Sequence, residues 1–184
     1  MSKSLLSVVG PFALVLLGSA GFTVLGGNAA ARFPAFTPTA GLPEGIAVDK
    51  SGTVYASVAA FSGTEQLWKF SRSGQAELVA DFGSPSGGAA GLTVDAQGNA
   101  YVAIPSREAV VRIDAVTGVQ ETLGVFPFAA LDVPLSLAFG TGKGERTQLF
   151  ITNNGISAGV IPGLPWSGPG ILKIDAGVPG LPLP

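Results

Sequence analysis

Leu42-Pro43-Glu44-Gly45-Ile46-Ala47-Val48-Asp49 decides the fold, because the stretch comes back. It returns as Ala89-Ala90-Gly91-Leu92-Thr93-Val94-Asp95 and, more weakly, as Pro134-Leu135-Ser136-Leu137-Ala138-Phe139. Glu44 to Ala90 is 46 positions, and Ala90 to Leu135 is 45. A unit of that period built from short apolar runs predicts propeller blades. The acidic residue that opens the first copy is missing from the other two. The repeat therefore speaks to architecture more than to chemistry.

Each unit has one grammar. In the first, residues 46–48 form an apolar run, Asp49-Lys50-Ser51-Gly52 is a turn, and 54–58 is a second run. Residues 67–70 alternate as a third run, and 76–82 follow the turn Ser71-Arg72-Ser73-Gly74. The second unit repeats this with runs at 92–94, 100–104, 109–113 and 119–126. The third has runs at 137–139 and 148–152, then a Gly- and Pro-rich insertion over 153–170, then a run at 171–174. The expectation is an all-β partial β-propeller of about three four-stranded blades, roughly a dozen strands, following an N-terminal signal helix. A β-sandwich is the competing architecture, since it too has many short strands at regular spacing. The tail, 177–184, carries three prolines and cannot supply a central strand.

Composition excludes several chemistries. Of 184 residues 12% are charged, about half the usual share, and 47% are hydrophobic. The net charge is −2 with no basic cluster, so the footprint of a nucleic-acid binder is missing. The chain has no cysteine and no histidine, which rules out disulfides and Ser-His-Asp or Cys-His catalysis. Zinc normally takes His or Cys ligands. Any metal here would have to accept oxygen donors, as calcium, magnesium and manganese do.

Residues 1–31 read as a leader: Lys3, an apolar run over 5–17, and small residues at Ala29-Ala30-Ala31. Cleavage is expected after Ala31, with Gly18-Ser19-Ala20 as a competing site. An uncleaved anchor is the other reading, because residues 5–25 are nearly long enough to span a bilayer. Either way the domain is expected to be exported, to the periplasm or the exterior, and possible membrane anchoring rests on this segment. Residues 32–41, with two prolines, read as a linker, leaving 42–184 as the propeller domain.

Three passages resemble the senescence marker protein / gluconolactonase / luciferin-regenerating enzyme family. They are Leu42 to Asp49, the Gly98-Asn99-Ala100-Tyr101-Val102 segment with a looser copy from Gly52 to Tyr55, and the ending. That ending is Gly170-Ile171-Leu172-Lys173-Ile174-Asp175 followed by Gly177-Val178-Pro179-Gly180-Leu181-Pro182. The resemblance implies a six-bladed ring and a lactone hydrolase with one divalent metal in the central channel. Its metal ligands, a Glu, an Asn and an Asp, come from the starts of different blades. The metal would polarise the lactone carbonyl and activate water. Carried over position by position, only Glu44 matches. Ala90 and then Leu135-Ser136 stand where further ligands belong. Asp132, close to the third blade start, and Asn153 and Asn154, after an apolar run, are the remaining oxygen donors. The pair Asn153-Asn154 before Gly155 also reads as a plain turn.

A six-bladed relative needs about twice this length. Two three-bladed arcs related by a two-fold axis would close such a ring, so a homodimer is the expected partner arrangement. An internally shortened relative that pairs with nothing is the competing account. Three functions follow. One is a metal-dependent lactonase with its channel completed by dimerisation. Another is a non-catalytic exported module that binds a small molecule or a protein, with Ile161, Leu164 and Trp166 of the insertion as a contact loop. The last is a passive remnant held by assembly, in keeping with the low charge and positive mean hydropathy. Trp166 reads more readily as a lid packed on the neighbouring blade.

Overall fold

The computed structural model describes residues 42–59, 65–71, 73, 75–83, 88–125, 131–156 and 169–181. The leader, the linker and the loop residues Ile161, Leu164 and Trp166 lie outside the described residues. All described residues belong to the unit that begins at residue 34.

Three antiparallel meanders follow one another. The first is β1 (Leu42–Val48), β2 (Val54–Ala59), β3 (Glu65–Phe70) and β4 (Ala76–Asp81). The second is β5 (Leu92–Val94), β6 (Ala100–Ile104), β7 (Ala109–Ile113) and β8 (Gln120–Val125). The third is β9 (Pro134–Phe139), β10 (Gln148–Asn153) and β11 (Gly170–Asp175). Each sheet keeps chain order, so each pairs only with its own strands. The separate sheets are the blades that the repeat predicts, and a two-layered sandwich is not formed. The third blade has three strands among the described residues. One helical turn, Pro105–Arg107, interrupts this pattern at the tip of the second blade.

The opening strands β1, β5 and β9 lie side by side, and β6 also packs on β9. Each blade thus has a leading face toward the next blade and a trailing face toward the previous one. Strand alternation sorts the residues between them. The leading residues Tyr55 and Leu67 of the first blade meet the trailing residues Leu92, Val94, Val102, Val111 and Ile113 of the second. Tyr101, Ala103 and Val110 lead the second blade into Leu137, Leu149 and Ile151 of the third. Tyr101 stands edge-on to Phe139, with ring centroids 5.2 Å apart. Each such buried aliphatic side chain contributes about 1.5–3 kcal/mol.

The tail straps the underside. The Ala96 amide donates to the Pro179 carbonyl at 2.9 Å, and the Gly180 amide donates to the Arg146 carbonyl at 2.9 Å. Gly180 forms a lone antiparallel bridge with Asp95, and Leu181 packs on the joint between the first two blades. Gly180 lies so close under Phe139 that no side chain fits there.

Candidate functional site

Glu44 is an unpaired residue. The β1–β2 register runs Leu42 to Ala59, Pro43 to Val58, then Gly45 to Ser57, so Glu44 is left over as a bulge. Leu135 is skipped in the same way between Pro134 and Ser136 on the β9–β10 ladder. In the second blade Ala90 and Gly91 both bond the backbone of Ala103, two residues facing one. Bulges re-aim side chains and sharpen local twist. The position that opens each repeat is therefore the bulge of each opening strand. Sequence reading placed the first strand at residue 46 and missed this, because a bulge leaves no mark on apolar alternation.

The three bulges sit against one another. The Gly45 amide donates to Ser57 Oγ at 2.8 Å, and that hydroxyl donates to the Ala90 carbonyl at 2.7 Å. The Gly91 amide donates directly to the Leu135 carbonyl at 2.6 Å. Glycine is required at both places. A Cβ on Gly45 would run into the Ala90 carbonyl oxygen, and one on Gly91 would stand 2.5 Å from the Leu135 carbonyl oxygen. Together these residues line an open groove of about 430 Å³ at the hub, walled by Glu44, Ile46, Ala90, Leu135 and Ser136. The blade starts converge as the repeat implied. They bring one carboxylate with them.

A second carboxyl lies at the same end of the first blade. Glu65 opens β3, pairs with Ala59, and is 2% exposed. Its Oε1 accepts from Ser106 Oγ at 2.8 Å, while among the described residues its Oε2 accepts nothing. Burial pushes this carboxyl up, against the pull of Ser106, Arg107 and the Gly88 amide, with Glu44 adding a small push. The Glu44 carboxylate rests over Gly88, where a Cβ would come within 2.9 Å of it. Glu65 escaped the sequence reading because its strand was started two residues late.

Asp132 and Asn153 are brought together. Both are buried, and the Asp132 amide donates to Asn153 Oδ1 at 2.7 Å. The Asn154 and Gly155 amides donate to the Val133 and Asp132 carbonyls at 3.2 and 2.9 Å. Asn153 closes β10, and Asn154 and Gly155 extend its pairing beyond the strand, so the segment is more than a turn. Val133 is held at φ 56°, an unusual conformation for a β-branched residue, at the entry to the third blade. Asn154 is exposed. None of the three lines the hub groove. Among the described residues, no three acidic side chains form a group that would hold a metal ion.

No protein-family model matches the sequence, and no curated protein does. Solved structures do match. Regucalcin from Agrobacterium tumefaciens, described as a calcium-binding protein, superposes with a TM-score of 0.56 at 20% identity over 78% of this chain and 48% of its own. Luciferin-regenerating enzyme gives 0.53 at 17% identity, over 77% and 47%. The PQQ-bound aldose sugar dehydrogenase of Streptomyces coelicolor gives 0.54 at 14%, over 72% and 42%. The fold is a partial β-propeller. The resemblance drawn from the sequence thus holds at the level of fold, since regucalcin and luciferin-regenerating enzyme are both propellers of that group. The chain spans less than half the length of the structures it matches.

Proposed function

We propose that this chain is an exported half-propeller that binds a small molecule at its hub, and that it acts as a binding and assembly module. The observation that carries this is the convergence of Glu44, Ala90 and Leu135 on one groove with a single carboxylate among them. A divalent ion wants about six oxygens, and metal-assisted lactone opening needs that ion to polarise a carbonyl. One carboxylate beside apolar walls suits a ligand with hydroxyl or amine donors on one side and carbon on the other. A volume of about 430 Å³ suits a molecule of sugar size. The leader supports export, and recovery of the exported chain without Met1 is the expected mass result.

The second reading is a calcium- or magnesium-dependent lactonase whose channel is completed by another copy. Glu44, retained at the first blade start, and the calcium-binding description of regucalcin favour it. A lactone-opening assay with and without chelator separates the two. The expected result is no chelator-sensitive opening. Meanwhile at least one member of a panel of sugar lactones and polyols raises the melting temperature of the full chain and fails to raise that of Glu44→Gln. Lactone opening that calcium supports and Glu44→Gln abolishes would overturn the binding reading.

A further inference from the structure

The first and second blades carry the same row on their leading faces: Tyr55–Lys69–Glu77 and Tyr101–Arg112–Glu121. In each the cation pairs with the glutamate, Lys69 Nζ with Glu77 Oε1 at 2.8 Å and Arg112 with Glu121 Oε2 at 3.3 Å. The two tyrosines differ. Tyr101 donates to Asp95 Oδ2, Phe139 stands edge-on to its ring, and it is 0% exposed. Asp49, the acid at the matching turn of the first blade, uses its Oδ1 for the Ser51 and Thr53 amides and the Ser51 hydroxyl, and does not bond Tyr55. Val94 occupies the position that Phe139 holds in the third blade. A smaller side chain thus covers this joint. An open groove of about 570 Å³ remains on the first blade, lined by Thr53, Tyr55, Lys69, Ser71, Gln75 and Glu77.

Tyr55 anchors that groove. It is 7% exposed, with its ring packed in the joint against the second blade, and its hydroxyl makes no hydrogen bond among the described residues. That hydroxyl is not sealed in, and the groove is its way out to solvent. Burial, then the nearby Asp49 carboxylate, raise the phenol above its usual range, so the hydroxyl keeps its proton and stays a donor. Beside it Lys69 has N–H groups, and Glu77 a carboxylate oxygen, beyond those used in their own pair. The pair is neutral as a whole, which leaves a free anion or cation little to gain. A hydroxyl both donates and accepts, so adjacent hydroxyls on one ring match a cation and an anion held side by side.

We infer that this groove is a second binding site, for a neutral polyhydroxylated molecule such as a sugar or a cyclic polyol. One ligand hydroxyl accepts from Tyr55, and a vicinal pair accepts from Lys69 and donates to Glu77. Thr53, Ser71 and Gln75 offer further polar groups along the rim. The volume lies within the range of small-molecule sites. The groove is separate from the hub. The two share no lining residue, Glu44 lies near the start of β1, and Thr53 follows the turn beyond its end. The inference therefore does not rest on the hub reading.

Ligand-observed NMR with D-glucose and with myo-inositol tests this, in the full chain carrying Glu44→Gln so that the hub cannot answer for the groove. Binding of at least one of the two is expected. Adding Tyr55→Phe is expected to weaken it about fivefold, and adding Lys69→Met to abolish it. Both additions are expected to keep the urea midpoint of the parent. The Tyr55 hydroxyl has no partner in the protein to lose, and a largely exposed ion pair contributes little. Binding of neither compound overturns the inference, and so does binding that Tyr55→Phe leaves unchanged. Inorganic phosphate bound in their place overturns it as well, since the groove would then be an anion site. A midpoint that falls with Tyr55→Phe also overturns it, because a hydroxyl that the fold needs is not held for a ligand. The hub reading is scored apart from this, by stabilisation that depends on Glu44.

Discussion

Asp95 shows how much one side chain organises. It is 0% exposed and accepts from the amides of Gln97 and Asn99, from Asn99 Nδ2, and from the Tyr101 hydroxyl at 2.9 Å. Burial, then the bond and charge of Asp95, push the Tyr101 phenol well above its usual range, so it stays a donor. The third blade has Gly140 and Phe150 at the equivalent places, so acid and hydroxyl are lost together. Asp95→Ala is expected to cost about 3 kcal/mol, because several buried donors lose their acceptor, whereas Tyr101→Phe costs about 1 kcal/mol. Urea unfolding measures both. Glu65 behaves oppositely. Its folded carboxyl is raised, so ionisation costs stability in full above the folded value, and the cost vanishes below the ordinary 4.5. Glu65→Gln is therefore expected to be more stable than wild type at pH 7.5, with the gap closing toward pH 4. Asp81, held low by Gln66 and the Gly83 amide, loses its contribution only as pH falls below the ordinary 3.8, outside that window. The turn role of Asp95 was legible in the sequence. Its bond to Tyr101 was not, because that pairing depends on strand register.

At the scale of elements, the strands were legible wherever alternation or a short apolar run met a turn with Asp and Gly. The opening strand was not fully legible. Pro43-Glu44-Gly45 reads as a corner, yet β1 begins at Leu42 and the bulge lies inside it. The glycine was the one sign of the close approach, and its reason lay in a neighbouring blade. Outer bulges repeat as well: Val79 is skipped between Leu78 and Ala80, and Leu123 between Thr122 and Gly124. Gly91→Ala is expected to cost about 1–3 kcal/mol, since the added carbon meets the backbone of Leu135 and Ser136 and nothing flexible can yield. Loss of the hub groove should accompany it, seen as a lost thermal shift with the sugar lactone that stabilises wild type. Candidate ligands were partly legible. Glu44 reaches the groove as its motif position implies, while Asp132 and Asn153 tie the entry of the third blade to its middle strand.

For the molecule as a whole, the proposed assembly of copies would make stability depend on concentration. The melting temperature of the full chain is then expected to rise as protein concentration is raised. The arc itself was legible from the period, and the sorting of residues between the two faces of each blade was not, because it depends on strand register. The tail was underestimated. Removing residues 178–184 is expected to cost about 3 kcal/mol, the sum of two backbone bonds and the burial of Leu181, read from the urea midpoint. That strap also sets a clock on biosynthesis. Asp95 and Gly180 are 85 positions apart, so a ribosome needs on the order of ten seconds between making one and the other. Through that interval the nascent second blade waits unlatched, and holdase chaperones have their widest opening. A message truncated before Pro179 yields a chain that lacks the bonds to Ala96 and Arg146 and that no later step can fasten.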